Sequence, residues 1–215
     1  LAVDLKSSDA LWVPSTYYGR QSFKWSTLTR GITPANPDSF PAGDDSSAEI
    51  TMMDVVGNSL LVGTTNSLTS WNGTAPTTLS AEVGSISTSR GWTKLGGYLY
   101  FASSLGIYRT GGGNPEILTN PIKDYWLSAT GLGTAVMWNW QNSVFCYIGQ
   151  ITVPGDDGTS EKTITNAIVE YDIIQENCYI HSYPTAITHA EEISTNGSRS
   201  GVYLNITNTP GYFSN

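Results

Sequence analysis

The feature that most constrains this 215-residue chain is a hairpin that recurs along it. "GGYLYFASSLGIYRTGGG" at 96–113 sets two short runs of alternating bulky residues around small ones, with glycines at both ends. "NSLLVGTTNSLTSWNG" at 58–73 repeats the plan, and "RSGVYLNITNTPGYFSN" at 199–215 gives a shorter version. Between them, "AVMWNWQNSVFCYIGQITV" and "TNAIVEYDIIQENCYIHSY" read as two consecutive hairpins joined by the loop "PGDDGTSEK". Alternation with a period of two marks strands. It places Val136, Trp138 and Trp140 on one face and Met137 and Asn139 on the other. After a turn at Gln141 and Asn142, Val144, Cys146 and Ile148 share a face. Helical spacing fits no stretch of about ten residues or more, because the candidates are short, β-branched and broken by Gly or Pro.

Residues 134–183 hold four strands in sequence, and 48–81 and 85–119 hold compact units of similar plan. A partial unit covers 186–215, while 1–47 reads as an irregular N-terminal segment or a partial blade. Units of four antiparallel strands spaced about 35 to 50 residues apart match the blades of a β-propeller. The expectation is therefore an all-β, propeller-like fold, in a single domain over 1–215. A blade leaves apolar faces open until neighbours cover them, so the chain is expected to close with an irregular N-terminal blade or to be part of a longer polypeptide. The start without Met fits a processed or excerpted chain. A β-sandwich, the alternative, also uses many short strands with frequent turns, but it has no need for hairpins that resemble one another.

Composition narrows the partners. Charged residues are only 13% of the chain, so Ser, Thr, Asn and Gly must make up the polar surface, and these favour strands and turns over helix interiors. A net charge of −8, with the ten basic residues dispersed, argues against a nucleic-acid backbone or an anionic membrane as the main ligand. Apolar runs such as Asn58 to Gly63 and Val144 to Ile148 are too short to cross a bilayer, and Leu1 does not open a signal peptide. Cys146 and Cys178 are the only cysteines. They read as two free, buried thiols, and pairing requires that they lie on neighbouring strands.

An ordered string of segments carries a resemblance: "FKWSTLTRG" at 23–31, "NPDSFPAG" at 36–43, "EITMMDVVGNSLLVGTTNSL" at 49–68 and "GGYLYFASSLGIYRTGGGNPEILTNPI" at 96–122. Over about 17–122 the chain resembles the propeller-type virion proteins of tailed bacteriophages, the group of tail nozzle and head-to-tail stabilisation proteins. Residues 142–183, with "EYDI" and an aromatic strand after it, are similar to a later blade. The resemblance implies a propeller of antiparallel blades in a virion, with other virion proteins as partners and assembly into a cyclic ring. It departs in length, since family members tend to carry further blades and docking elements. Its motifs specify how blades fold, and none is a catalytic signature.

The groups that chemistry needs are few. His181 and His189 are the only histidines, and Cys178 with His181 makes a C-x-x-H pair that a strand would put on opposite faces. Asp156, Asp157 and Glu161 in a Gly-containing loop, and Asp44, Asp45 and Glu49, lack the alternating acidic spacing of a Ca²⁺ loop and read as solvated tips. Sialidase-like propellers combine an arginine cluster with Ser-x-Asp-x-Gly-x-x-Trp loops. No such loop occurs, and Arg20, Arg30, Arg90, Arg109 and Arg199 each stand in a different segment. "GLGTAV" at 131–136 precedes a strand where a dinucleotide fingerprint follows one. Trp12, Trp25, Trp71, Trp92 and Trp126 sit near turns as platforms for sugars or, on the plainer reading, as packing. The sequons at Asn72, Asn196 and Asn205 occur at about the frequency that Ser- and Thr-rich chains give by chance. The sequence thus points to a non-enzymatic structural protein with no cofactor, no metal and no catalytic residue, whose alternative is a glycan-binding propeller module of a phage fibre or secreted protein.

Overall fold

The structure, a computed structural model, describes residues 3–5, 10–15, 22–27, 39–41, 49–72, 74–86, 90–155, 157–195, 198–206 and 209–213, and the strands before Glu49 by backbone pairing alone. Two compact units emerge, 1–86 with 110–115 and 87–109 with 116–215.

The first unit carries two four-stranded antiparallel sheets, in each of which every strand pairs with the next in sequence. β1 (Val3–Leu5), β2 (Ala10–Ser15), β3 (Ser22–Thr27) and β4 (Ser39–Pro41) form one. The stretch 1–47, read from sequence as irregular or a partial blade, thus contains four paired strands. Its outer strands are only three residues long, and Pro14 stands inside β2 opposite Phe23. A missing ladder donor there argues against a strand at sequence level. β5 (Ile50–Val56), β6 (Ser59–Thr64), β7 (Leu68–Trp71) and β8 (Pro76–Ser80) form the other. Every residue of β7, and every residue of β6 after Ser59, is buried. Strands buried on both faces read as continuous apolar runs rather than alternation, as in "LLVG".

Three more antiparallel sheets make up the second unit. They comprise β9 (Trp92–Leu95), β10 (Tyr98–Ser103), β11 (Gly106–Thr110) and β12 (Glu116–Ile117); then β13 (Val136–Trp140), β14 (Ser143–Pro154), β15 (Glu161–Asp172) and β16 (Asn177–Ser182); and finally β17 (Ile187–Thr195), β18 (Ser198–Ile206) and β19 (Thr209–Phe213). Local chemistry sets the turns. Leu95 pairs with Tyr98 around Gly96 and Gly97, at φ of +62° and +83°. That left-handed pair is what the tightest hairpin turn demands and what glycine supplies without a steric cost. Trp140 pairs with Ser143 around Gln141 and Asn142, where the sequence placed a turn.

In the fourth sheet in chain order, β13–β16, the inner strands are covered on both faces. Met137, Val144, Cys146, Ile148 and Val169 share one buried cluster with Tyr100, Ala102 and Ile107 of the β9–β12 sheet. Val136, Trp138, Phe145, Tyr147 and Ile168 share a second with Ile187, Ala190, Val202 and Leu204 of the β17–β19 sheet. Met137 lies opposite Cys146 and Trp138 opposite Phe145, so the two faces divide as the period-two pattern assigns them. The Trp138 and Phe145 rings stack, with centroids 5.5 Å apart and planes inclined by 7°. In a two-sheet sandwich each sheet buries one face; here a sheet is covered on both by its chain neighbours. The fold is all-β and propeller-like, with four antiparallel four-stranded sheets and a three-stranded one among the described residues.

Between β12 and β13 runs a 3-10 turn at Asn120–Ile122 and then a five-residue helix, α1 (Lys123–Leu127). Trp126 on α1 is completely buried in the first cluster and donates its indole N–H to the Ser103 carbonyl at 3.0 Å. A helix this short has little stability of its own. Its position therefore depends on that side chain. Trp126→Ala is expected to cost about 3–5 kcal/mol through the cavity it leaves, measurable as a fall in the urea midpoint of unfolding.

Candidate functional site

β14 and β15 have 12 residues each, about twice β13 with five and β16 with six. Beyond Gly149 and Ala167 the pair therefore extends past the sheet as a two-stranded arm. Its register slips around Gly149. Gly149 has φ of +76°, and a Cβ there would come within 3.0 Å of the Gly131 Cα. The glycine thus lets the arm bend where the segment after α1 crosses it. That segment supplies ladder partners to the arm's edge. Gly131 N–H donates to Ile148 O and Thr130 N–H to Gln150 O, both at 3.0 Å, and the Ser128 hydroxyl accepts from Thr152 N–H at 2.9 Å.

A groove of about 560 Å³ lies between α1 and the arm. Tyr125, Val153 and Pro154 give it apolar walls, Ser128, Thr152 and Ser160 line it further, and the exposed residues Asp124 and Glu161 bring carboxylates from opposite sides. The Ser128 hydroxyl also donates to Tyr125 O at 2.7 Å, so its hydrogen bonds go to the backbone. No histidine or cysteine lines the groove. Its chemistry suits a ligand held by apolar contact and by hydrogen bonds to carboxylates. Sequence reasoning missed Asp124, Ser128 and Thr152, because the groove arises from the excess length of one hairpin and the run of a five-residue helix, neither of which leaves a local motif.

The residues singled out from sequence are dispersed among structural tasks. Cys146 and Cys178 are free thiols; they pair with Val169 and Tyr171, both on β15, so a whole strand separates them. That spacing, about twice the strand-to-strand distance, is beyond disulfide reach. Cys178 turns toward the first buried cluster and approaches Leu118 O, whereas the exposed His181, three residues on, bonds Glu170 through Nε2 at 2.7 Å. The two lie on opposite faces, as expected. His189 meets Glu191 at 3.3 Å. Asp157 forms the tip of the β14–β15 hairpin, accepting from the Ser160 N–H and hydroxyl and from Thr159 N–H, and these bonds hold its carboxyl far below the usual range. Asp44, Asp45, Asp156, Arg20, Arg30 and Asn196 lie outside the described residues. Glu49 is exposed. Among the described residues no group of three or more His, Cys, Asp or Glu could hold a metal ion, and no helix is long and apolar enough to cross a membrane.

Arg109 is ion-paired to Glu116 at 2.7 Å, and its guanidinium carbon sits 5.1 Å from the centre of the half-exposed Tyr98 ring. Arg90 pairs with Glu191 at 4.0 Å. Arg199 lies in β18 opposite Ser194. Trp71 and Trp126 are buried, Trp92 is partly buried, and Trp12 pairs with Trp25 across β2 and β3. Exposed Asn72 caps a turn through Thr74 and Ala75, Asn205 lies opposite His189 and Pro210, and "GLGTAV" forms a 3-10 turn leading into β13.

No family model matches the sequence, and no curated protein does. Solved structures share its fold. The extracellular domain of a protein described as a one-component system of B. thetaiotaomicron superposes with a TM-score of 0.60 at 12% identity, over 100% of this chain and 26% of that one. The N-terminal domain of Nup159 gives 0.52 at 10% identity, over 98% of this chain and 60% of that one. The neighbours include propeller and β-rich domains, and this chain spans less than two thirds of the length of either. At such identities the likeness is one of fold alone.

The thiols yield a pH prediction. Burial lifts Cys178 from an ordinary 9.0 to about 11, and drives Cys146 upward as well. The thiolate is the reactive form, so at pH 8 the native Cys178 holds about 100-fold less of it than a free thiol. Both cysteines are expected to label slowly in the native protein and rapidly in denaturant. Above pH 9 the unfolded chain loses thiol protons that the folded chain keeps, so this contribution to stability is complete below about 9 and is lost as pH rises toward 11. Urea titrations across that window measure it.

Proposed function

We propose that the chain is a non-enzymatic structural component of a tailed-phage virion, at the tail or the head-to-tail connector, where it acts as one subunit of a cyclic ring beside other virion proteins. The observation that carries the reading is where the family-like segments fall. Residues 49–68 run through β5 and β6 to the start of β7, and 96–122 run from the β9–β10 turn through β10, β11, β12 and the 3-10 turn. The ordered string thus coincides with strands and turns of successive blades, and "FKWSTLTRG" and "NPDSFPAG" overlap β3 and β4. Physically, sheets covered on both faces resist bending, and the turns at their ends stay available to neighbours. A surface of net charge −8 would repel packaged DNA and ease its passage along a channel.

A second reading, a glycan-binding module, draws on the groove, where the Tyr125 ring and two exposed carboxylates match the way sugars are held by stacking and by hydrogen bonds to their hydroxyls. Two measurements separate them. Mass spectrometry of purified virions is expected to find the chain in stoichiometric amount, and native mass spectrometry to find a closed oligomer. Absence from virions together with saturable binding on a glycan array, abolished in Asp124→Asn with Glu161→Gln, would replace the first reading with the second.

A further inference from the structure

β13 adjoins both β9 and β17, and a small cavity of about 40 Å³ lies among residues of these strands and β18. Arg90, Thr93, Trp138, Asn139, Ala190 and Val202 line it. Asn139 is only 6% exposed. Its Nδ2 donates twice, to the Thr93 hydroxyl at 2.6 Å and to the Lys94 carbonyl at 3.0 Å. The second bond settles the orientation of the amide, because a carbonyl only accepts. The other end of the amide, Oδ1, is buried and receives no hydrogen bond from the protein. A polar chain so enclosed, with one end firmly anchored and the other an unanswered acceptor, needs a donor within reach.

We infer that the cavity binds one internal water molecule, which donates to Asn139 Oδ1 and links β13 to β9 beside the apolar side chains of Ala190 and Val202. Size selects the ligand. A water needs about 10–15 Å³ of such space, so the 40 Å³ available admits one or two waters and no organic molecule. Chemistry agrees with size. The Thr93 oxygen accepts a hydrogen bond from the Asn139 amide, which leaves its own hydroxyl proton to donate to the water, and the guanidinium of Arg90 provides a further donor at the cavity wall. The rival occupant is that guanidinium itself, since Arg90 is half exposed and is paired to Glu191 only at 4.0 Å.

Crystals of the whole chain, at a resolution that shows ordered solvent, test this directly. A water about 2.8 Å from Asn139 Oδ1 is expected. An empty cavity, or the Arg90 guanidinium on Oδ1, would overturn the inference. In solution, oxygen-17 relaxation dispersion counts waters that reside for long times inside the protein. Asn139→Leu is expected to lose one such water; an unchanged count in Asn139→Leu refutes the assignment. The crystallographic result on the unaltered chain decides the matter even where the leucine variant fails to fold.

Discussion

The inner strands of the β13–β16 sheet bury apolar side chains on both faces. Met137 and Cys146 point to one side and Trp138 and Phe145 to the other, and all four are buried. Fully burying a large apolar side chain is worth about 1.5–3 kcal/mol. A sheet with several such residues on each side cannot leave either side in water. It must be flanked twice, and the chain supplies the flanking sheets immediately before and after it. The three sheets of this unit are therefore energetically interdependent, in the manner of a repeat protein whose stability resides largely in the interfaces between neighbours. The polar link through Asn139, Thr93 and Lys94 reinforces one of those interfaces with directional bonds that the apolar contacts lack.

That constraint accounts for what could be read in the sequence. Two-sided burial requires bulky residues at successive positions, and the division of Val136 and Trp138 from Met137 is recoverable because β13 pairs with β14 without a bulge, so its side chains alternate strictly. The two-residue turn at Gln141 and Asn142 and the glycine pair at 96 and 97 were recoverable too, since so few backbone shapes connect adjacent strands. What depends on long-range assembly was not. Pro14 within β2 concealed a strand, and α1 is too short to register as a periodic pattern. The separation of Cys146 from Cys178 by β15 follows only from strand order. The groove was hidden for the same reason. Asp124 and Glu161 are 37 positions apart, and although Glu161 stands out in its Gly-containing loop, nothing local joins it to Asp124.

Since packing takes up both faces of the inner strands of the β13–β16 sheet, the ends of its strands are the parts left for a partner to meet. Two features there go beyond what folding requires. One is the cluster in which Arg109 bridges Glu116 and the Tyr98 ring, close to the β9–β10 and β11–β12 turns. The other is the β14–β15 arm, longer than its sheet, braced by Ser128 and Thr130 and capped by Asp157. An unbraced two-stranded ribbon is marginal in water. Bracing one edge with backbone and side-chain bonds, and tying off the tip with three hydrogen bonds to a single carboxylate, holds it in place as a groove wall.

The bracing also bears on which contacts this molecule can make without cost. A ligand or neighbour that orders a mobile loop gives up part of its binding energy to do so. Here both walls of the groove are already fixed, α1 by the buried Trp126 and the arm by its bonds to residues 128–131. Contacts formed at this end would therefore retain more of their energy as affinity, whatever the occupant. Rigidity in the middle of the sheets and readiness at their ends have the same origin. The apolar residues that forbid a sheet to stand alone also hold in place the segments that reach out from it.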